Sequence, residues 1–324
     1  MALCLSFRYA RRHCARRIFH SNKHPGAFGP CCPMSRKAAI IDIGSNTVRL
    51  GLCQYKQDQE GGYFCCPEGK QLRTVRMGQG LIETGCLQPA SMERAIAAVC
   101  EFYAMAAGRG FPVYAYATSA VRDAANRHIF MERLAAVCPV TVEVLSGHDE
   151  GRLAYLGAGG RGTLLDIGGG SAQIVTDTFS VSRPTGCVRA KDLCPNGTPE
   201  ELCASLFPWL QKNWDPFPAV QEPFYGVGGT ITTLGAFMAG QTRFDGQALS
   251  ALTPASLHAL LQRLHASLKA GNIPPLLRER RDVILQGGCI LAYMMGGLHM
   301  ERLLPLDRDG LEGYAMYLAE QGRL

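Results

Sequence analysis

Two short glycine-rich segments, each preceded by an aspartate at the end of an apolar run, are the stretches of this 324-residue sequence best suited to chemistry. Asp42 precedes residues 44–47 (GSNT), and Asp166 precedes residues 168–171 (GGGS). Each pattern predicts a β-hairpin, with a small polar turn in the first and a turn of nearly bare backbone in the second. The N–H groups of such a turn can converge on an anion, and the aspartate can hold a metal ion beside it. Both segments therefore predict a loop of phosphate-binding size.

The second segment repeats the first, because Asp42 and Asp166 are 124 positions apart in closely similar surroundings. This distance is too long for a solenoid repeat and suits a duplicated domain. Hairpins and βα units are mixed in both halves, which indicates the α/β class with two similar lobes. Two such hairpins facing each other would form a cleft with a phosphate-sized loop on each wall.

A third glycine-rich turn and one arginine extend this hypothesis. Residues 226–230 (GVGGT) lie between a predicted strand and a predicted helix, so they add a helix N-terminus that favours anions. Arg122, at the head of a helix, has the geometry to bind a phosphate through two N–H groups. The alternative for Arg122 is a surface ion pair with Asp123 or Glu132.

The flanking periodicity predicts the elements that must position these turns. A strand is expected over 53–76 with a turn at Gly61-Gly62, and others over 111–117, 140–145 and 303–306. Helices are expected at 89–107, from 118 to about 137, from 146, at 254–269, at 281–296 and at 309–321.

Charge is distributed unevenly and excludes some partners. The net charge is +6, but residues 1–37 hold eight Lys/Arg and no acid, which leaves 25 Lys/Arg against 27 Asp/Glu in the remainder. The body of the chain therefore gives no support for a nucleic-acid partner. Residues 1–37 are predicted to be a disordered or dispensable basic tail, with a targeting peptide as the alternative, and removal of residues 1–33 should leave folding intact.

No apolar run approaches the roughly 20 residues of a membrane span, so no membrane partner is expected. The 14 cysteines include no CxxC pair. Without a secretory signal, reduced thiols in the cytoplasm are the expected state.

In seven segments the chain resembles the Ppx/GppA family, the exopolyphosphatases and guanosine pentaphosphate phosphohydrolases of the actin-like ATPase superfamily. The matching segments are 41–49, 117–126, 144–155, 165–175, 186–189, 225–234 and 309–313. The resemblance implies two duplicated actin-like (ribonuclease H-like) domains with a cleft between them. Domain I would span 38–148 and be completed by the C-terminal helix 309–324, and domain II would span 149–308.

The resemblance also implies a role for each matching residue. Glu150 is the expected general base, with its neighbour Asp149 as the competing candidate. Asp166, with Asp42 facing it, is expected to organise Mg²⁺ or Mn²⁺. The phosphate-binding positions are Ser45, Asn46, Arg122, Gly168, Gly169, Gly170 and Ser171. Gly228, Gly229 and Thr230 match the nucleoside-side loop of the superfamily.

One position departs from the family pattern. The family commonly has Thr-Glu after Gly-Gly-Gly-Ser, and this chain has Ala172-Gln173. A glutamate there would be a second acid near the metal, whereas Gln173 offers only an amide. Weaker metal binding, a different preferred ion and reduced activity all follow as hypotheses.

The resemblance implies release of the terminal phosphate of inorganic polyphosphate by metal-assisted in-line attack of water. Guanosine pentaphosphate is the alternative substrate. A non-catalytic sensor of polyphosphate or alarmone, motivated by Gln173, and an actin-fold kinase are the alternatives from other classes. A homodimer is compatible with the family.

Overall fold

The computed structural model describes residues 36–57, 63–244 and 248–324 as two five-stranded sheets surrounded by helices. The strands are β1 Arg36–Ile43, β2 Thr47–Gln57, β3 Tyr63–Thr74, β4 Val113–Ala117, β5 Val142–Val144, β6 Thr163–Ile167, β7 Ala172–Val175, β8 Ser180–Arg183, β9 Phe224–Val227 and β10 Leu303–Pro305. The helices are α1 Leu81–Thr84, α2 Pro89–Gly108, α3 Ser119–Asp123, α4 Arg127–Ala135, α5 Gly147–Gly157, α6 Cys187–Leu193, α7 Pro199–Trp214, α8 Gly228–Met238, α9 Pro254–Lys269, α10 Ile284–Gly297 and α11 Gly310–Glu320.

The two sheets have the same topology. In the first, β1, β2 and β3 form an antiparallel meander and β4 and β5 lie parallel on the other side of β1, in the order β3-β2-β1-β4-β5. In the second, β6, β7 and β8 form the meander and β9 and β10 the parallel side, in the order β8-β7-β6-β9-β10. The predicted duplicated α/β architecture is therefore confirmed, and we name the two halves the N-terminal lobe and the C-terminal lobe after their sheets.

Each lobe has its own apolar core. In the N-terminal lobe, Phe102 of α2 and Phe130 of α4 are fully buried with the side chains of β1, β2 and β4. In the C-terminal lobe, Trp214 of α7 is buried with apolar side chains of α8, α9 and α10. Because each lobe has a core of its own, each is stabilised independently of the polar groups that lie between the lobes.

The helices α5 and α11 cross at two glycines. A Cβ built on Gly157 would collide with the backbone of Asp309, and one built on Gly313 would collide with the carbonyl of Leu153. Only glycine permits so close an approach of two helix backbones. Asp309, the N-cap of α11, is thereby brought next to the ends of β1 and β6. The helix α11 also packs on β1, β2 and β3, which is compatible with its predicted place in domain I. The domain boundaries themselves stay a prediction.

One predicted helix is wrong in its length. The segment expected to be helical from 118 to about 137 is divided into α3 and α4, because Ala124 is extended (ψ 132°). The Asn126 side chain that follows hydrogen-bonds both the N–H and the carbonyl of Leu87, at 2.8 and 3.0 Å. These tertiary hydrogen bonds fix Asn126 between the two helices and prevent α3 and α4 from joining into one helix.

The expected Gly61-Gly62 turn and nearly all of the basic tail, residues 1–35, lie outside the described residues. None of the helices in the described ranges is long and apolar enough to cross a membrane.

Candidate active site

The first glycine-rich turn joins β1 to β2 and carries buried polar side chains. Gly44 donates its N–H to the carbonyl of Thr47 at 3.0 Å, which closes the turn. The Ser45 hydroxyl and the Asn46 amide are buried and have no hydrogen-bond partner among the described residues. A buried polar group in this state favours any ligand that supplies its partner. The position of both side chains is compatible with the predicted contact to a phosphate.

The second glycine-rich turn joins β6 to β7 in the same way. The N–H of Gly168 donates to the carbonyl of Ser171 at 3.0 Å. Ser171 is buried, and its hydroxyl accepts a hydrogen bond of 2.9 Å from the Gln173 amide. The sequence prediction of two equivalent hairpins is confirmed, and the same hydrogen bond closes each turn.

The two turns touch each other across the cleft. A Cβ built on Gly169 would lie 2.9 Å from the backbone nitrogen of Asn46, and one built on Gly170 would collide with the Ser45 hydroxyl. Glycine is therefore required here by the close approach of the opposite turn. The structure brings the two predicted phosphate-binding turns into one site.

Four acidic side chains converge on this place: Asp42 and Asp309 are buried, and Glu150 and Asp166 are half-buried. Burial and the negative charges of Asp309 and Glu150 raise the pKa of Asp166 to about 8. Burial also raises the pKa of Glu150, although Arg122 acts in the opposite direction. Clustered carboxylates with raised pKa values are typical of sites that bind cations or transfer protons.

Arg49 neutralises the acidic cluster from the side of the N-terminal lobe. It lies directly opposite Asp42 in the β1–β2 register and donates to the Asp42 carboxylate at 2.5 and 2.9 Å. A third N–H of its guanidinium donates to Asp309. Burial, the largest influence on Asp309, would raise its pKa, but Arg49 and Lys70 together outweigh it and hold the pKa at about 2.

Sequence reasoning missed both Arg49 and Asp309 as site residues. The signal for Arg49 was present, because a side chain seven positions after Asp42 faces it across a tight hairpin. Asp309 had no local signal, since its proximity to Arg49 depends on the crossing of α5 and α11.

Glu150 lies in the first turn of α5 and is bound by Arg122, whose Nη1 lies 2.9 Å from Glu150 Oε2. Arg122 also donates to Asp123 (3.2 Å) and to the Leu145 carbonyl (3.0 Å). The expected alternative of an ion pair with Asp123 is therefore present, and the alternative partner Glu132 is not used.

Asp149, the competing candidate for the base, is held at the helix cap. Its carboxylate accepts from the Ser146 hydroxyl at 2.7 Å, and its N–H donates to the same hydroxyl at 3.1 Å. Its carboxylate also lies 3.3 Å from the His148 ring. These contacts favour Glu150 over Asp149 as the group that acts in the cleft.

The third turn, at the start of α8, adjoins the second. Gly228 has a positive φ of 83°, and a Cβ on it would collide with the Asp166 carboxylate. Gly229 is covered by the guanidinium of Arg280, whose pKa is lowered by burial. Thr230 is buried. Arg280 was not a sequence candidate, because the run Arg278–Arg281 reads as a charged surface segment.

The residues present fit a divalent cation that takes most of its ligands from phosphate and water. Among the described residues no three His, Cys, Asp or Glu side chains are close enough to enclose an ion. Buried oxygen atoms without a partner in the described part of the chain nevertheless lie on both hairpins, namely Asp42 Oδ1 and Gln173 Oε1. Mg²⁺ prefers such oxygen donors and commonly keeps only one or two carboxylates from the protein. With Asp166, these atoms supply a donor set of the right chemistry.

Comparison with known proteins places the chain among phosphatases. The sequence profile of the Ppx/GppA phosphatase family matches residues 63–312. Exopolyphosphatase 2 of Mycobacterium tuberculosis is 28% identical over 315 residues, which cover 87% of this chain and 98% of that protein. A protein of Haemophilus influenzae described as a putative exopolyphosphatase is 26% identical and covers 86% of this chain and 90% of its own length.

Solved structures give the same picture for the fold. The Ppx/GppA protein of Aquifex aeolicus has a TM-score of 0.71 at 27% identity and covers 90% of this chain and 100% of its own. An exopolyphosphatase from Cytophaga hutchinsonii has a TM-score of 0.76 at 20% identity, with 89% and 98% covered, and supports the fold alone. The two-domain actin-like fold implied by the sequence is thereby confirmed.

Proposed function

Because the chain belongs to the Ppx/GppA phosphatase family, we propose that it releases the terminal phosphate of inorganic polyphosphate. Hydrolysis of phosphoanhydride bonds is the chemistry of the family, and the relatives named exopolyphosphatase support polyphosphate as the substrate. The choice of polyphosphate, the mechanism and the residue roles are our proposal. Its support is one observation: two glycine-rich turns, the first of which carries unpaired buried donors on Ser45 and Asn46, meet beside Glu150 and Asp166.

In this mechanism Glu150 accepts the proton of the attacking water. Its pKa is raised by burial, so it is a stronger base than an exposed glutamate and can be ionised near neutral pH because Arg122 is bound to it. In-line attack needs the water on the side of the terminal phosphorus away from the chain. Glu150, in the first turn of α5, would hold and deprotonate this water.

The two turns and Arg122 hold the terminal phosphate. The N–H groups of residues 169–171, the Ser45 hydroxyl and the Asn46 amide would donate to its equatorial oxygens, where negative charge is spread in the transition state. Arg122 would contact both the phosphate and Glu150. A bound Mg²⁺ or Mn²⁺, held by Asp166, the Gln173 amide oxygen and Asp42 Oδ1, would neutralise charge on the leaving oxygen.

Guanosine pentaphosphate is favoured as a second candidate by Arg280. This guanidinium lies on Gly229, next to the loop expected on the nucleoside side, and makes no ion pair with a carboxylate of the described residues. A substrate with phosphate groups on two sides of its ribose would neutralise the Arg280 guanidinium.

We propose the cytoplasm as the compartment of the protein, because all ten cysteines in the described ranges are free thiols.

The function is tested by phosphate release from long-chain polyphosphate, tripolyphosphate and guanosine pentaphosphate, each with Mg²⁺ or Mn²⁺. The Glu150→Gln variant should lose about 10²- to 10⁴-fold in kcat, the usual contribution of a general base. Glu132→Gln, which removes the same charge from an exposed position of α4, is the matched control and should retain full activity.

Full activity in Glu150→Gln would refute the mechanism. Tight binding of polyphosphate without phosphate release at any metal concentration would instead favour the sensor. ADP formation that depends on an added acceptor sugar would favour the kinase.

A further inference from the structure

The carbonyl groups of the three glycines in the second glycine-rich turn are held by one short helix, α6. Gly168 O accepts from the Cys187 N–H at 3.0 Å, and Gly169 O accepts from the Val188 N–H at 2.8 Å. The next carbonyl, that of Gly170, accepts from Nε of Arg189 at 2.8 Å. Three consecutive residues at the start of α6 thus satisfy three consecutive carbonyls of the turn.

This arrangement fixes the direction in which the turn presents its N–H groups. The C=O and N–H of a trans peptide point in opposite directions, so carbonyls tied to α6 leave N–H groups directed away from it. A carbonyl that rotated toward the cleft would repel a phosphate. The last of the three bonds is the only one made by a side chain, and it comes from a charged donor, which makes it stronger than a neutral hydrogen bond.

Arg189 also reaches into the other lobe. Its Nη2 donates to Asp123 Oδ2 at 2.6 Å, and the side chain is only 14% exposed. The other oxygen of Asp123 accepts from Nε of Arg122 at 3.2 Å, and the Ser119 hydroxyl donates to Oδ2 at 2.9 Å. One continuous chain of hydrogen bonds therefore joins the Gly170 carbonyl, Arg189, Asp123 and Arg122.

We propose that Arg189 is a positioning residue that aligns the turn 168–171 of the C-terminal lobe with Arg122 of the N-terminal lobe through Asp123. The inference rests on the proposed function, because in that function the turn 168–171 and Arg122 bind the same phosphate. Neither Arg189 nor Asp123 needs to touch that phosphate. Together they make the anion site from parts that belong to different lobes.

The test compares Arg189→Met, Arg189→Lys, Asp123→Asn and the double variant Arg189→Met/Asp123→Asn. Two quantities are measured: kcat/KM for phosphate release from polyphosphate, and binding of methylenediphosphonate, whose P–C–P bridge resists hydrolysis, by calorimetry. Lys191→Met is the matched control, since Lys191 is a cation of the same helix whose one hydrogen bond within the described ranges goes to the Pro195 carbonyl. Circular dichroism and thermal unfolding report the folded fraction of each variant.

Arg189→Met should lower kcat/KM and weaken diphosphonate binding about tenfold or more, as expected for loss of a charge-assisted hydrogen bond. Arg189→Lys should recover part of both, because an ammonium group can reach one of the two acceptors. The double variant should lose no more than the larger single loss, because both residues act in one chain. Lys191→Met should match the wild type.

Three outcomes overturn the proposal: an Arg189→Met variant that behaves like Lys191→Met, losses that multiply in the double variant, and losses that only follow the unfolded fraction. Absence of diphosphonate binding to the wild type also overturns it. If the wild type binds the diphosphonate, Arg189→Met weakens that binding and no polyphosphate is hydrolysed, the positioning role stands and the proposed function fails.

Discussion

The residue opposite each aspartate differs between the two hairpins, and this difference sets the charge of the site. Asp42 faces the cation Arg49, whereas Asp166 faces the neutral Gln173 in the equivalent register position. Gln173 is buried, and its amide donates to Ser171 at 2.9 Å and to Ser182 at 3.3 Å. The charge of Asp166 is consequently left without a cationic neighbour on its own hairpin, while Asp309 and Glu150 repel it.

Asp166 should make the metal-free protein less stable as the pH rises. Its folded pKa of about 8 lies above the ordinary value of 3.8, so the folded state retains a proton that the unfolded chain releases. Stability is therefore lost between about pH 4 and about pH 8. Asp166→Asn removes this titration, and with a chelator present it should unfold at a higher temperature than the wild type at pH 8 and at a similar temperature at pH 4. A variant that is less stable than the wild type at pH 8 would contradict this.

Gln173→Glu should make stability depend on a divalent ion. The new carboxylate would lie directly opposite Asp166, and like charges in that position are destabilising. Mn²⁺ bound between them would stabilise the folded state by mass action. Thermal unfolding with and without Mn²⁺ should show a lower metal-free melting temperature and a larger Mn²⁺ shift than in the wild type. Gln321→Glu, at an exposed position after α11, is the control; equal shifts in wild type and Gln173→Glu would refute the expectation.

At the scale of elements, the crossing of α5 and α11 places the acidic ends of both helices. Glu150 lies in the first turn of α5, and Asp309 caps α11 by accepting the Leu311 N–H at 3.1 Å. The Glu312 carboxylate accepts the Asp309 N–H at 2.9 Å and forms an ion pair with Lys70, whose Nζ lies 2.8 Å from Glu312 Oε1. The capping box and the lysine hold Asp309 where Arg49 meets it, so the crossing distance controls the geometry of the site.

Gly313→Ala should be strongly destabilising, because its Cβ would collide with the Leu153 carbonyl of α5. Backbone cannot move aside as a flexible side chain can, so we expect a loss of about 3 kcal/mol or more in the free energy of unfolding. Gly296→Ala in α10 is the control, since a Cβ there meets nothing within 4 Å. It should be neutral or stabilising by up to about 1 kcal/mol. Urea unfolding of both variants measures the difference, and similar values for the two would show that the crossing tolerates a methyl group.

The parts of the site that were predictable from sequence are those determined by neighbouring residues. An apolar run, an aspartate and glycines fix a hairpin locally, so Asp42, Asp166 and both turns were found in their correct elements. The helix α2 was predicted within one residue, from Pro89 to about Ala107 against the observed Gly108. Asp309 depends on Arg49, 260 positions away, and Arg189 reaches Asp123 over 66 positions. Arg280 likewise lies on a distant segment, at Gly229, and no local pattern encodes such contacts. The break after α3 was missed for the same reason, since Asn126 is held by Leu87.

At the scale of the whole molecule, polar contacts hold the two lobes together away from the glycine-rich turns. Arg76 Nε lies 2.6 Å from Asp282 Oδ2, Thr74 donates to the Glu279 carboxylate, and the Gly80 N–H donates to Asp192 at 2.9 Å. Arg76 and Asp282 are 36% and 27% exposed. Pairs this accessible to water each contribute roughly 0–1 kcal/mol. The closed arrangement of the lobes should therefore be separated from more open ones by a small free energy.

Asp282→Asn should shift the lobes toward open arrangements without unfolding either of them. Loss of the charge removes the ion pair with Arg76, and because each lobe keeps its own core, the free energy of unfolding should change by about 1 kcal/mol or less. Small-angle X-ray scattering should give a larger radius of gyration than for the wild type. Saturating methylenediphosphonate should reverse the increase, since a ligand that contacts both lobes selects the closed state. High salt, which screens the same pair, should expand the wild type toward the variant.

The control is Glu93→Gln, which breaks an exposed pair with Arg133 inside the N-terminal lobe and should leave the scattering unchanged. Scattering of Asp282→Asn that matches the wild type at low salt would mean that the glycine-rich turns and the Arg189–Asp123 contact alone are sufficient to hold the lobes closed.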